Sequence, residues 1–423
     1  MSERANAMPY DLSAWLPPAA QQGSLRGVVV LDITRVVAGP FCSMILADLG
    51  ATVIKIEHPD EPDYTRDFPP LLENSTGGSF SAFFAQYNRN KLAMTLNVAT
   101  PEGKEVLRSL VQKANVLVEN FRAGTMDKLG LGYEDLKAIN PSLVYTALSG
   151  YGQTGPYRRR PAYDNSAQAT GGLWSMNGEP GQAPLRVGTI IGDLSATLYG
   201  VIGTLSALRH AERTGEGQLV DISQQDSVLS LTETAVVSYT VEGKVAEPLG
   251  NQHPFVRPYE LYPCKDGFVF FGGYTDKFWR ISCELFGEPE LADDPGIDSM
   301  AKRFDPVTYE KLVRPILVRW FADRTKNELE SMAGDAVPLS AIKNIAEVVT
   351  DPQIAARDMI VDVDYPDYGP LRMVGSPIKM GKTPPQARGL APEIGEHTAV
   401  VLKALAGLSD VDVAELKRKK VIR

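Results

Sequence analysis

Residues 30–57 read VLDITRVVAGPFCSMILADLGATVIKIE, and the order of patterns within them sets the fold. With two residues added upstream, 28–33 (VVVLDI) is a short β-branched run of the kind that forms a buried strand. Residues 41–49 (FCSMILADL) space their apolar side chains helically and stop at Gly50, where a glycine can close a helix. Residues 52–57 (TVIKIE) are a second β-branched run. A strand–helix–strand unit has the connection length and handedness of a crossover between parallel strands. The alternation continues outward. A helix is predicted over 101–113, with Thr100 as its cap and Pro101 at its first position. Strands follow at 115–119 and 143–149, with a short helix at 133–139 between them. A long apolar helix at 196–217 then leads to a strand at 218–222. This is the pattern of an open, parallel, Rossmann-like α/β sheet. Past residue 226 the texture changes. A helical run at 227–241 gives way to Pro and Gly, then to a hairpin at 261–274 with Asp-Gly at its turn. Helices extend to about 335, sheet-like residues return at 371–380, and a helix is expected at 396–405. Lys417–Lys420 read as a solvated helix end, where cations favour the dipole.

The chain has 423 residues, enough for two or three domains. Hydrophobic residues at 43% and charged residues at 22% exclude dominant disorder. The most apolar stretch, 189–208, carries Asp193 near its start, so no membrane span is expected. The first 24 residues lack a basic start followed by an apolar block, and read as an arm pinned by Trp15. The net charge of −9 disfavours nucleic acid, yet a local basic pocket would still take a small anion. Three dispersed cysteines, Cys42, Cys264 and Cys283, fit a reducing, cytoplasmic setting. Four histidines without CxxC, HxH or HExxH spacing predict no metal. The first strand–helix turn, TRVVAGPFCSM, lacks GxGxxG, so no NAD is expected although Glu57 closes the second strand. Gly381-Lys382-Thr383 has Ser376 where a phosphate loop needs glycine.

Nine strings in sequence order resemble the class III CoA-transferase family (CaiB/BaiF type). They are the opening stretch, NRNKLAMTLNVATPEGK (88–104), VLVENFRAGTMDKLGL (116–131), LSGYGQTGP (148–156) and PAYDNSAQATGG (161–172). GDLSATLYG (192–200), TGEGQLVDISQQDSV (214–228), GNQHP (250–254) and GEHTAVVL (395–402) complete them. The resemblance implies a large α/β domain built from both chain ends, 25–225 and 341–423, after an arm at 1–24. It also implies a linker at 226–249, a smaller central α+β domain at 250–340, and an interlocked homodimer. The implied activity is movement of CoA from an acyl-CoA, such as succinyl-CoA, to a small organic acid. Acyl-CoA racemisation on the same fold is the alternative. Coenzyme A is the implied cofactor, with no nucleic acid, membrane, metal or NAD.

By that resemblance Asp193 is the nucleophile. A carboxylate suits the task, because an aspartyl thioester keeps the activation that a serine ester would lose. Following Gly192 and opening a helix, Asp193 is expected to be held ionised by the dipole, with Gly192 contributing a backbone amide to an oxyanion. A plain Asp N-cap is the competing reading. Asp164 is the second carboxylate, either orienting substrate or closing an Asx-turn. Tyr163 stands where the racemase branch has histidine, and a phenol is a poor base at neutral pH. CoA binding is implied for Val37, Ala38, His58, Leu96, Asn97, Val98, Ala99, Asn120, Phe121, Arg122 and Lys128. Formyl-CoA transferase has glutamine at the position of Val37, a change that argues against oxalate and formate as substrates, and arginine at that of His58, a change that weakens one adenine or phosphate contact and leaves CoA binding in place. Gly250, Asn251, Gln252 and His253 match the loop that caps the site. Arg158, Arg159, Arg160, Arg89, His253 and Arg257 are cationic candidates for a dicarboxylate's second charge, and a solvated loop is the other reading of the arginine run.

Overall fold

The computed structural model describes residues 12–423. The chain forms two compact units. One takes the chain up to Leu173, then Val187–Val236 and Gln353–Arg423; the other takes Trp174–Arg186 and Val237–Pro352.

The first unit is built on six strands: β1 (Val29–Asp32), β2 (Thr52–Glu57), β3 (Lys91–Thr95), β4 (Val116–Glu119), β5 (Val144–Ser149) and β6 (Leu219–Ser223). All pairs are parallel, in the order β3-β2-β1-β4-β5-β6. The first five strands are buried along their whole length, which explains their mostly apolar runs. The five expected strands fall within a residue of these limits, and β3 is an addition the sequence reading did not contain. Helices cover both faces. On one, α1 (Ala38–Asp48) sets Cys42 and Leu46 against Val30 and Val118. On the other, α2 (Pro101–Val111) buries Leu107 and Leu110 beside Leu31 and Leu117. Each such side chain stabilises the fold by about 1.5–3 kcal/mol. Thr100 caps α2, its Oγ1 accepting the Gly103 N–H at 3.0 Å.

Two further helices frame the site: α3 (Asp164–Thr170) and α4 (Ile191–Thr214). The latter starts five residues earlier than its apolar pattern indicated, because Ile191–Ser195 form a first turn that carries the site. Among the described residues it is the one helix long and apolar enough to cross a membrane, and half of that window is buried within the protein. The helix expected at 227–241 is two. α5 (Gln224–Leu229) is separated from a helix at Ala235–Glu242, and Glu233 between them has φ +52°. The segment from 226 is therefore helical rather than a bare linker, and up to Val236 it belongs to the first unit.

After Pro352 the chain adds no strand to the main sheet. Ile360–Tyr365 and Gly369–Val374 pair with each other, and α6 (Thr398–Ala406) places Val401 and Leu402 in the core of the α2 face. Trp15 meets His397 edge-on, with ring centroids 5.8 Å apart.

In the second unit, Glu260–Cys264, Gly267–Phe271 and Leu339–Ala341 form an antiparallel sheet over Trp279, Trp320 and Phe321. Gly267 pairs with Cys264, so the hairpin loop is Lys265-Asp266 and not the expected Asp-Gly. Trp174–Arg186 joins this unit, where the Gly250 N–H donates to Gly178 O at 2.8 Å.

Candidate active site

The strand order changes direction between β1 and β4, and ligands of open parallel sheets gather beyond the carboxyl ends of the strands at such a point. The loops after β1 and β4 are tied together there. The Arg35 N–H donates to Asn120 Oδ1 at 3.0 Å, and Asn120 Nδ2 donates back to Arg35 O at 2.7 Å. Between Arg35 and α1, Val36 has φ +73°, a conformation a β-branched residue adopts at a cost of roughly 1–3 kcal/mol. Its N–H donates to Asp63 Oδ2 at 3.1 Å, so the strained residue is clamped. Below the loop lies a buried charge network. Lys55 pairs with Asp63 at 3.2 Å, and Lys91 pairs with Asp32 at 2.9 Å. Burial alone would raise the Asp32 carboxyl, but Lys91, Lys55 and the Ser43 and Thr34 hydroxyls outweigh it and bring it down to about 2.

Asp193 lies in the first turn of α4, two residues after its start, and its side chain does not cap the helix. It accepts a hydrogen bond from Gln224 Nε2, at the start of α5. Burial and the neighbouring Asp164 carboxylate push Asp193 from 3.8 up to about 7, against the Gln224 bond. The expectation that the helix dipole keeps it ionised is thus corrected: desolvation prevails, and near neutrality the group is poised between its two forms.

Asp164 is buried, and both its oxygens face the protein. Oδ1 accepts the Gly192 N–H at 2.7 Å, and Oδ2 accepts Gln168 Nε2 at 2.8 Å. It therefore braces the turn that carries Asp193. A Cβ on Gly192 would sit 3.0 Å from Asp164 Oδ1 and 3.1 Å from Ala167 Cβ, which explains the glycine. The Gly192 amide is consumed by this bond, so the expected oxyanion contact from it is also corrected.

Asp193 opens onto a cavity of about 270 Å³ whose walls include Val37, Ala38, Asn120, Arg122 and Tyr163 from the sequence reading. Tyr163 is 71% exposed. His58, Leu96, Val98 and Phe121 line a second, largely apolar cavity of about 160 Å³. His58 Nδ1 accepts the Asp60 and Glu61 N–H groups, each at 3.2 Å, which leaves Nε2 as its donor side. Asn97 and Ala99 serve the turn before α2, the Ala99 N–H donating to Asn97 Oδ1 at 3.0 Å.

Lys128 is elsewhere. It lines a third cavity of about 350 Å³ with Arg158, Arg159 and Glu119, whose carboxyl burial pushes up to about 8. Arg160 lies over the Tyr157 ring, 3.7 Å from its centroid. Arg89 is not a site cation. It is buried, paired with Asp48 at 2.7 Å, and donates to Val374 O at 2.7 Å. Gly250, Asn251, Gln252, His253 and Arg257 belong to the second unit. There Gly250 has φ +61°, Gln252 Nε2 donates to Glu310 at 3.1 Å, and the His253 ring meets Phe255 edge-on. Among the described residues no three His, Cys, Asp or Glu side chains cluster as metal ligands.

Sequence reasoning missed four residues. Arg35, Tyr64 and Gln224 line the Asp193 cavity, and Tyr87 lies close enough to Asp193 for its charge to raise the phenol, after burial. The available signal for Gln224 was its place, a polar residue at the carboxyl end of a parallel strand.

A half-buried carboxylate thus faces a cleft at the switch point of a doubly wound sheet, and a largely apolar slot lies in the same unit. The chain belongs to CoA-transferase family III, whose model matches residues 25–398. It is 38% identical to a succinyl-CoA:mesaconate CoA-transferase of Haloarcula hispanica, over 90% of this chain and 96% of that protein. It is 35% identical to a succinate–glutarate CoA-transferase of Agrobacterium fabrum, over 90% of this chain and 95% of that one. A CaiB/BaiF family protein of Brucella suis has a similar solved structure, with TM-score 0.79 and 34% identity, covering 90% of this chain and 99% of that one. The chain is a CoA-transferase acting between acyl-CoA thioesters and carboxylic acids, as the resemblance implied.

Proposed function

We propose that this enzyme moves CoA from succinyl-CoA to a C4–C5 dicarboxylic acid through a thioester on Asp193. The single observation that carries the assignment is the half-buried Asp193 facing the switch-point cavity. Asp193 attacks the acyl carbonyl, the C–S bond breaks, and a mixed anhydride forms with release of the thiolate. The thiolate attacks the aspartyl carbon, the original acid leaves, and an aspartyl thioester remains. An incoming carboxylate runs the sequence backwards. The apolar slot at His58, Leu96, Val98 and Phe121 suits the adenine, and Arg122 a phosphate. Arg35 on the cavity wall suits the second carboxylate of a dicarboxylic acid. The names of the relatives support this substrate class.

The functional unit in this reading is an interlocked homodimer in the cytoplasm. Its support is an unpartnered apolar face on α4, where Leu198 and Ile202 are more than half exposed, and the three free cysteines.

The test is a panel of mono- and dicarboxylic acids with succinyl-CoA and acetyl-CoA, read as new thioesters by mass spectrometry. Hydroxylamine should leave a hydroxamate at residue 193. Solvent deuterium entering the α-carbon of an acyl-CoA with no acceptor acid, and no transfer to any acid, would instead establish racemisation.

A further inference from the structure

We infer that Gln224 is a catalytic residue, supplying the N–H that holds the oxyanion when the aspartyl thioester is made and broken. The inference rests on the proposed role of Asp193. Formation of the thioester requires attack on the Asp193 carboxyl carbon itself. As the thiolate bonds to that carbon, the C=O electron pair moves onto the oxygen that is not bridging the anhydride. Collapse of this intermediate restores the carbonyl and expels the original acid, which takes the bridging aspartyl oxygen with it. The retained oxygen therefore carries a full negative charge twice per turnover, once with each acid.

A donor must already point at that oxygen, and the helix turn cannot provide it from Gly192, whose N–H is committed to Asp164 at 2.7 Å. Gln224 Nε2 donates to Asp193 Oδ1, and among the described residues it is the only side chain that donates to this carboxylate. The amide orientation follows from chemistry, because the ionised carboxylate that makes the attack accepts and does not donate. The donor is also fixed in place. Gln224 is buried, Ser223 caps its helix through the Asp226 N–H at 3.1 Å, and the Gln225 N–H donates to Gly150 O at 3.1 Å. A donor held before reaction needs no reorganisation as charge develops. The bond also assigns the two aspartyl oxygens. Oδ1, held by Gln224, stays with the enzyme as the thioester carbonyl, and Oδ2 makes the attack.

The test compares Gln224→Met, which keeps the length without the donor, with Gln224→Asn, which keeps the amide but withdraws it by one methylene. Both should lower kcat for thioester exchange by about 10²–10³, as loss of one oxyanion donor does elsewhere, while KM for succinyl-CoA stays within about threefold. A second readout separates catalysis from packing. The acid limb of kcat/KM should move to higher pH in both, because the carboxylate has lost its donor. The other charged or titratable groups around Asp193 are Asp164 on α3, Tyr87, and Tyr64, Tyr163, Arg35 and Arg122 on the cavity walls, and all are unaltered. A kcat within threefold of the parent and an unmoved limb in either folded variant would overturn the inference. Asp193→Asn serves as the control: if it retains transfer, the aspartyl reading fails as well; if it is inactive while the Gln224 variants are normal, only the role of Gln224 falls.

Discussion

Replacing Asp193 with asparagine should stabilise the protein, by an amount that depends on pH. Burial and Asp164 raise the native carboxyl from 3.8 to about 7. Below about pH 4 the carboxyl is protonated in both folded and unfolded chains, and its ionisation costs nothing. Between pH 4 and 7 the unfolded chain releases this proton and the native state retains it, so stability falls as pH rises. Above 7 the loss is complete. At about 1.4 kcal/mol per pH unit, the full effect is at most about 4 kcal/mol, and contact with solvent in the open cavity brings it nearer to about 2. Asparagine is neutral in both states and still offers Oδ1 to Gln224. Thermal melts at fixed protein concentration should therefore show the variant several degrees more stable at pH 8, with the gap closing by pH 4. A melting difference that is the same at pH 4 and pH 8 would refute the electrostatic account.

With Asp193 as the proposed nucleophile, kcat/KM of the natural enzyme should be half-maximal near pH 7 and fall about tenfold per unit below it, measured by thioester exchange; an aspartate of ordinary acidity would give a flat profile from about pH 5.5 to 8. Gly192→Ala should fold, and gain up to about 1 kcal/mol of helix propensity, yet lose roughly tenfold or more in kcat, because the new Cβ presses on Asp164 and Ala167 and displaces Asp193; calorimetry and kinetics on one sample check both. Ile202→Asp, on the exposed face of α4, should convert the proposed dimer to monomer in light scattering, and an unchanged mass would remove that face from the interface.

Much of the first unit was legible because parallel strands buried on both faces advertise themselves. VVLD, TVIKIE and VYTALS are rich in β-branched and apolar residues, and their few polar ones, Asp32, Lys55 and Glu57 among them, are buried with the rest. Boundaries failed where tertiary contacts overrode local pattern. The start of α4 is polar and glycine-containing by helix standards, yet the Asp164 carboxylate fixes it by accepting the Gly192 amide. The break in the helix after α5 follows from Glu233 adopting positive φ, for which glutamate gives no warning. Trp174–Arg186 joins residues some seventy positions away, and such a long-range partnership leaves no periodicity to read.

Arg89 and Gln224 show why the site was only half legible. An arginine in NRNK and a glutamine in SQQD look equally polar in sequence, and charge alone favoured the arginine as a substrate contact. The fold reverses that order. Arg89 is drawn inward by Asp48, a carboxylate that α1 buries and that must be neutralised where it lies. Gln224 begins a helix at the carboxyl end of β6, where an amide reaches the half-buried carboxylate turned toward the cavity. The family resemblance, through the GD pair, pointed to Asp193 as the proposed nucleophile, and a carboxylate suits that chemistry. The groups that tune it are assigned by distance through space: Asp164 lies 29 residues before it and Gln224 31 after it, and neither spacing is a chemical requirement. The proposed reactive carboxylate is therefore written in a local motif, while its acidity and its hydrogen-bond donor are properties of the sheet that brings three loops together.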